Sequence, residues 1–354
     1  MKSIDLTIKR KLVIAVTGLN AIDSPGPGVA VIRSIRESSD FDARIIGLNY
    51  EPLEPGIYLH ELIDKTYQIP YPSAGTESLL HRLKYIHQLE NIDLILPNFD
   101  AELFSFIKLR EELDKMGIHS FLPEMEQFEA RHKTVLYKFG KKHQLMVPED
   151  RLVNQPSDLI KAAEELEYPL VIKGKYYDAT IVNSQEEAQK AFFQLQAKWG
   201  LPIIAQKFIK GTEINIAALG DGKGNTISVV PMRKLYITDK GKAWAGITIE
   251  DDSLLELAKK FIKATKWRGG CELEIMQSSA GIPYIMEVNP RFPAWIYLAA
   301  AAGQNQPAAL VRMALGEKVE PFVGYDVGKM FIRYAWDLIT SVGEFQKISG
   351  TGEL

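Results

Sequence analysis

Hydrophobic and polar positions follow one rhythm in the first third of this chain and another in the rest. Early on, short continuous apolar runs are separated by stretches with helical spacing. Lys11 to Thr17 reads as a buried parallel strand, Val29 to Glu37 as a helix and Arg44 to Leu48 as a second strand. Ser78 to Leu89 reads as a helix, Asp93 to Leu96 as a strand and Ala101 to Met116 as a helix. This βαβ order predicts a small parallel sheet. The Gly- and Pro-rich loop from Gly18 to Gly28 joins the first strand to the first helix. Backbone amides at such a helix start bind anions. Gly18, Gly26 and Gly28 do not form G-x-G-x-x-G, so a plain tight turn and a substrate-anion loop both stay open.

The pattern changes near Pro123. A helix over Met125 to His143 links the first part to the next. A short α+β unit follows: strand Arg151 to Asn154, helix Pro156 to Leu166, strands Pro169 to Lys173 and Thr180 to Val182, helix Ser184 to Trp199 and strand Ile203 to Phe208. The next strands are Glu213 to Leu219, Thr226 to Met232, Lys242 to Ile249, Gly270 to Gln277 and Ile282 to Val288, interrupted by a helix from Asp252 to Thr265. Short turns at Asp221-Gly222 and Ala280-Gly281 argue an antiparallel sheet. Helices Trp295 to Ala302 and Gln306 to Leu315 and a strand Lys329 to Trp336 precede a polar tail, whose end, Gly350 to Leu354, is expected to be disordered. The expected division is 1–122, 123–207, 208–340 and a tail, 341–354.

Composition narrows the class. The 354 residues are 46% hydrophobic and 25% charged, with a net charge of -3, which predicts a soluble globular chain with no nucleic-acid or membrane surface. Cys271 is the single cysteine, so no intrachain disulfide can form, and it reads as a buried strand residue rather than a nucleophile. The apolar run Leu12 to Val16 is too short for a signal peptide, and no run reaches the roughly 18 residues of a membrane span. A cytoplasmic protein is expected.

Chemistry concentrates in Tyr284-Ile285-Met286-Glu287-Val288-Asn289-Pro290-Arg291. Residues two apart on a strand share a face, so Glu287 and Asn289 point the same way. Two oxygen ligands suit Mg2+, which takes few carboxylates and keeps places for phosphate. Arg291 can pair with phosphate oxygens at the same spot. Glu272 and Glu274 share a face of the preceding strand. Together these residues look like a magnesium–nucleotide site, against the plain reading of an acidic hairpin rim.

Other polar outliers extend the series: Lys133, Lys173, the segment Gln206-Lys207-Phe208-Ile209-Lys210-Gly211-Thr212-Glu213, and the pair Arg233-Lys234. With the closing E-x-N-P-R, this series resembles the ATP-grasp superfamily over nearly the whole chain, in texture the carbamoyl-phosphate synthetase and biotin carboxylase branch. The resemblance implies α/β and α+β architecture: an ATP-grasp fold after an N-terminal Rossmann-like domain. It implies ATP and Mg2+ (Mn2+ as a substitute), with Lys133 and Lys173 on the phosphates. Gln206, Lys207, Phe208 and Ile209 match the adenine hinge, and Glu213 the ribose carboxylate. Glu274, Glu287 and Asn289 match the metal ligands, with Glu272 in reserve for Glu274. Arg291, Lys173 and Arg233 are the expected catalytic groups. The implied reaction joins a small-molecule or peptide carboxylate to an amine through an acylphosphate, and a homodimer is allowed. Bicarbonate activation of the biotin carboxylase type and a non-catalytic ATP-binding regulator are the alternatives. One segment departs from the pattern. The expected Gly- and Ser-rich flap is here Gly174-Lys175-Tyr176-Tyr177-Asp178-Ala179. With fewer glycines, a nest of backbone amides is harder to form. The residues expected to line the substrate site are the Asn20 to Gly28 loop, Pro97 to Asp100, and Phe292, Trp295 and Tyr297.

Overall fold

The structure, a computed structural model, describes residues 10–22 and 24–354. It opens with strand β1 (Arg10–Val16), helix α1 (Pro27–Arg36), strands β2 (Phe41–Asn49) and β3 (Lys65–Gln68), helix α2 (Thr76–Glu90), strand β4 (Leu94–Leu96) and helix α3 (Asp100–Lys115). The strands form a sheet in the order β3-β2-β1-β4, with every pair parallel. Alternation along β1 serves both faces. Leu12, Ile14 and Val16 pack with Val31, Ile32 and Ile35 of α1, and Ala15 joins Leu83 and Phe106 of α2 and α3 on the other side. The polar edge strand β3 carries no apolar pattern that sequence reading could have found. The loop after β1 folds tightly on itself: the Gly28 amide donates to the Gly18 carbonyl at 2.9 Å. A Cβ on Gly28 would lie 2.1 Å from the Thr17 carbonyl oxygen, so only glycine fits. Asp23 of this loop lies outside the described residues.

The helix expected over Met125 to His143 is two helices, α4 (Met125–Ala130) and α5 (Lys133–His143), broken at Arg131-His132. Lys133 therefore starts a helix. Next come strand β5 (Asp150–Val153), helix α6 (Pro156–Leu166), strands β6 (Leu170–Lys173) and β7 (Ala179–Val182), helix α7 (Gln185–Trp199) and strand β8 (Ile203–Lys207). They form an antiparallel sheet, β5-β8-β6-β7. Leu170, Ile172, Ile203 and Ala205 pack under α6 and α7. By alternation, Val171, Lys173, Ile204 and Gln206 face the other way.

A six-stranded sheet follows. Its strands are β9 (Gly211–Asp221), β10 (Thr226–Ile237), β11 (Ala243–Thr248), β12 (Arg268–Ser278), β13 (Pro283–Asn289) and β14 (Met330–Ile332), with helix α8 (Asp252–Thr265) between β11 and β12. The order is β13-β12-β9-β10-β11-β14, antiparallel throughout. One face is sealed by α5 and α8 through Leu136, Leu257, Phe261, Leu273 and Ile275. Helices α9 (Ile296–Ala301) and α10 (Gln306–Ala314) lie between β13 and β14, and pack with Ala217, Leu219 and Val230 of the sheet.

The expectation of a disordered end is overturned. Helix α11 (Val342–Thr351) buries Ile348 completely, and its N-cap Ser341 accepts from the Glu344 amide at 3.2 Å. The last residues then return to the first sheet. Leu354 exchanges backbone hydrogen bonds of 2.9 and 3.0 Å with Thr66, and the Gln68 amide donates to Gly352 at 2.8 Å. The chain end is thus held on the β3 edge. No helix among the described residues is long and apolar enough to cross a membrane.

Candidate active site

Register builds the site. On the open face of the large sheet, Glu272 stands opposite Asn289 and Glu274 opposite Glu287. A register shift after Glu274 leaves Met286 unmatched, and it comes before the two residues that matter. The four side chains therefore form a square across β12 and β13. Asn289 Nδ2 donates to Glu272 at 3.0 Å and to Glu274 at 3.1 Å.

The two carboxylates of β12 differ in freedom. Glu272 is buried, and accepts from Asn215 at 2.6 Å and Trp295 Nε1 at 2.8 Å, with Arg291 3.6 Å away. Glu274 receives only the Asn289 bond, and burial, then the Glu287 and Glu272 charges, push it up to about 7. Glu287 pairs with Lys133 at 2.9 Å. Among the described residues no three His, Cys, Asp or Glu side chains converge into a ready metal cage. The donor set fits Mg2+ all the same. Mg2+ is held by one or two carboxylates plus phosphate and water, and Glu274, Glu287 and the Asn289 Oδ1 supply such a set.

The small sheet presents its free face to the same cleft. Lys173 is deeply set, and burial, then Lys133, push its ammonium down to about 8 against the pull of Glu287 and Glu274. Gln206 stands opposite Val171 and Asp150, and its Oε1 is buried without a partner. Asp150, absent from the expected site, is raised to about 6 by burial. Lys207 is exposed and stands opposite Leu170 of the covered face, so its side chain is turned away from the cleft, and its amide donates to the Glu149 carbonyl at 2.8 Å. Phe208 and Ile209 are half-buried.

Arg233 departs from expectation. It is in register with Ile214 and Ile247, and Ile214 belongs to the face sealed by α8, so Arg233 is directed away from the carboxylates. Lys234 occupies the site face instead. Its ammonium lies 2.9 Å from Glu213 and 3.2 Å from the Gly241 carbonyl. Burial opposes its charge, but Glu274 and Glu213 outweigh this and raise its pKa. The sequence named both residues, and only the strand register separates them.

The flap is anchored by side chains rather than by glycines. Gly174 closes its turn by donating to the Asp178 carbonyl at 3.1 Å, and a Cβ there would sit 2.5 Å from the Tyr177 oxygen. Asp178, at φ 65°, accepts from Lys198 at 2.7 Å and Trp199 Nε1 at 2.9 Å. Tyr177 packs 5.4 Å from the Trp199 ring, and Lys133 donates to the Tyr176 carbonyl at 3.0 Å. The N-terminal unit adds Asp100, which binds Arg291 Nε at 2.8 Å. Arg131, at the break between α4 and α5, lies within the influence of Asp100, Glu287 and Arg291, and burial lowers its pKa against the pull of the two acids. Sequence reading passed over Asp100 as a charge partner and Arg131 altogether, because no spacing rule links residues so distant in the chain. Behind Asp100, Glu102 is buried at the ends of β1 and β2. It accepts from the Thr17 and Tyr50 hydroxyls and from the Asn98 and Phe99 amides, and burial raises it to about 7. Cys271 is fully buried, which raises its thiol pKa and leaves it unreactive.

This arrangement, two sheets facing each other over a carboxylate square and two lysines, is the ATP-grasp fold. Biotin carboxylase from Campylobacter jejuni superposes with a TM-score of 0.69 over 91% of this chain and 74% of that one, at 16% identity. N5-carboxyaminoimidazole ribonucleotide synthetase from Thermus thermophilus gives 0.65 over 89% and 81%, at 15% identity. More particularly, residues 201–330 match the family described as ATP-grasp in the biosynthetic pathway with Ter operon. The carbamoyl phosphate synthase large chain of Agathobacter rectalis is 23% identical over 293 residues, covering 76% of this chain and 25% of that protein. This chain thus spans about a quarter of the length of that relative.

Proposed function

We propose that this chain is an ATP-dependent carboxylate–amine ligase that works with Mg2+ through an acylphosphate and releases ADP and phosphate. The observation that carries the reading is the Glu272, Glu274, Glu287 and Asn289 square within electrostatic reach of Lys173. Glu274, Glu287 and Asn289 would hold Mg2+, which neutralises charge on the transferred phosphoryl group. Lys133 and Lys173 would bind phosphate oxygens, Lys133 through the N–H left over by Glu287 and the Tyr176 carbonyl. The unpartnered Gln206 Oε1 accepts a donor of the base, Phe208 and Ile209 wall it, and Glu213 takes the ribose. Arg291, oriented by Asp100, holds the carboxylate undergoing phosphorylation. In this reading the nucleotide lies between parts 123–207 and 208–340, and the acceptor enters from 1–122. A homodimer in the cytoplasm completes the proposal.

Isotope transfer tests it. A phosphate-release screen with pools of carboxylates, bicarbonate and amines identifies a productive pair. The carboxylate is then supplied with oxygen-18. Attack of the amine on an acylphosphate leaves one labelled oxygen in inorganic phosphate, beside ADP. Label in AMP with release of pyrophosphate would mean an acyl-adenylate and refute the mechanism. Absence of any substrate-dependent hydrolysis would leave the regulator reading.

A further inference from the structure

A cavity of about 360 Å3 lies on the other side of the large sheet, between the α4–α5 pair and the end of α8. That volume is within the range of small-molecule sites, roughly 300–1,000 Å3. Its floor is apolar, formed by Leu136, Phe139, Phe261, Trp267 and Val288. Its rim carries Arg131, Lys142 and Lys266. Two acids share the rim. Glu124 is held by Arg110 through bonds of 2.8 and 2.7 Å, so its charge is matched, and Glu126 is the remaining acid on the rim; Asp100 and Glu287 act on Arg131 from the cleft side. Among the described residues, Lys142 and Lys266 make no ion pair.

Arg131 is the cation held most firmly in place. Its guanidinium rests 4.3 Å from the centre of the Phe128 ring, which fixes its plane. Its Nε is buried and has no acceptor. That Nε is shut off from the cavity, so a ligand there meets Arg131 through its outer guanidinium nitrogens. An apolar floor with a net positive rim selects a body without polar groups that ends in one negative charge.

We propose that this cavity binds a small monocarboxylate with an aliphatic or aromatic body, its carboxylate on Arg131 and its body on Phe139, Phe261 and Trp267. The site lies behind the nucleotide cleft, whose Asp100 and Glu287 also act on Arg131, and it does not depend on the ligase reading. Its position gives it consequence: Val288 in its floor is flanked by Glu287 and Asn289, and Arg131 precedes Lys133 by two residues.

Calorimetric titration of the full chain with sodium octanoate and with 4-phenylbutyrate tests the proposal, with 4-phenylbutanamide as the uncharged control. The expected result is saturable binding of at least one carboxylate, with the amide at least tenfold weaker. R131M should weaken carboxylate binding at least tenfold, and A264F, which fills the cavity, should abolish it. Should R131M not fold, R131K, which keeps the charge and lacks the planar guanidinium fork, is expected to weaken binding as well. No saturable binding of either carboxylate, equal affinity for the amide, or wild-type binding in a folded variant at position 131 or 264 would overturn the assignment.

Discussion

Replacing Asn289 with Asp probes the carboxylate square most sharply. The amide nitrogen of Asn289 is a donor to Glu272 at 3.0 Å and to Glu274 at 3.1 Å. N289D keeps the shape and turns that donor into a third acceptor. Two hydrogen bonds to charged groups are lost, each contributing about 1.5–3 kcal/mol. Like charges about 3 Å apart would repel by about 5 kcal/mol at an effective dielectric of 20, so the group takes up a proton rather than carry both charges. The net expectation is a loss of about 3–5 kcal/mol of stability at pH 8 in EDTA, set by the two lost bonds and limited by that proton uptake. Two observations separate electrostatics from simple packing loss. The deficit should shrink at pH 5.5, where the extra proton is easily held. It should also shrink on adding Mg2+, which a three-carboxylate site binds more tightly. Urea unfolding of wild type and N289D under the three conditions measures all of this. Equal stability of the two proteins in EDTA at pH 8 would refute the geometry. A deficit that neither pH nor Mg2+ alters would refute the electrostatic reasoning.

Two further outcomes follow from other parts of the structure. Lys173 has its ammonium lowered to about 8, so it is charged below that pH and neutral above it; MgADP affinity, measured by calorimetry from pH 6 to 9.5, should rise as the Glu274 carboxyl, held up to about 7, loses its proton, then fall as pH rises through 8, and K173R should remove the fall. Wild-type affinity that does not fall above pH 8 would show that Lys173 does not meet the nucleotide. Deleting Gly352 to Leu354 removes three backbone bonds from the β3 edge, together with contacts from Arg82 at 2.9 Å and Tyr85 at 2.8 Å, and should cost roughly 2–4 kcal/mol. Hydrogen exchange at the Thr66 and Gln68 amides should accelerate, and unchanged protection there would sink the idea.

What could be read from the sequence was whatever local periodicity encodes. Continuous apolar runs marked β1, β2 and β4, because a parallel strand covered on both faces is apolar on both. The spacing of two put Glu287 and Asn289 on one face. What could not be read depended on partners far along the chain. Arg233 and Lys234 are equivalent in sequence, and they separate only because β10 is locked to β9 at Arg233–Ile214. The break at Arg131-His132 is invisible in the helical pattern, yet it lets α5 start at Lys133. The C-terminal residues carry no strand signature, since three backbone bonds to an existing edge need no side-chain pattern.

The same logic explains how the cleft is held together without a ligand. Arg291 of the large sheet is met by Asp100 from the first unit, and Glu287 by Lys133 from the linker helix. Lys133 also holds the flap carbonyl of Tyr176. The two ion pairs join separate parts of the chain, and each matches a charge that burial would otherwise make costly. An anion at Lys133 therefore draws on charge that it shares with Glu287, and a cation at Glu287 draws on charge that it shares with Lys133. An anion alone or a cation alone leaves one partner of this pair less well compensated. A metal bound together with its phosphate leaves both compensated, and that coupling selects the pair over either part.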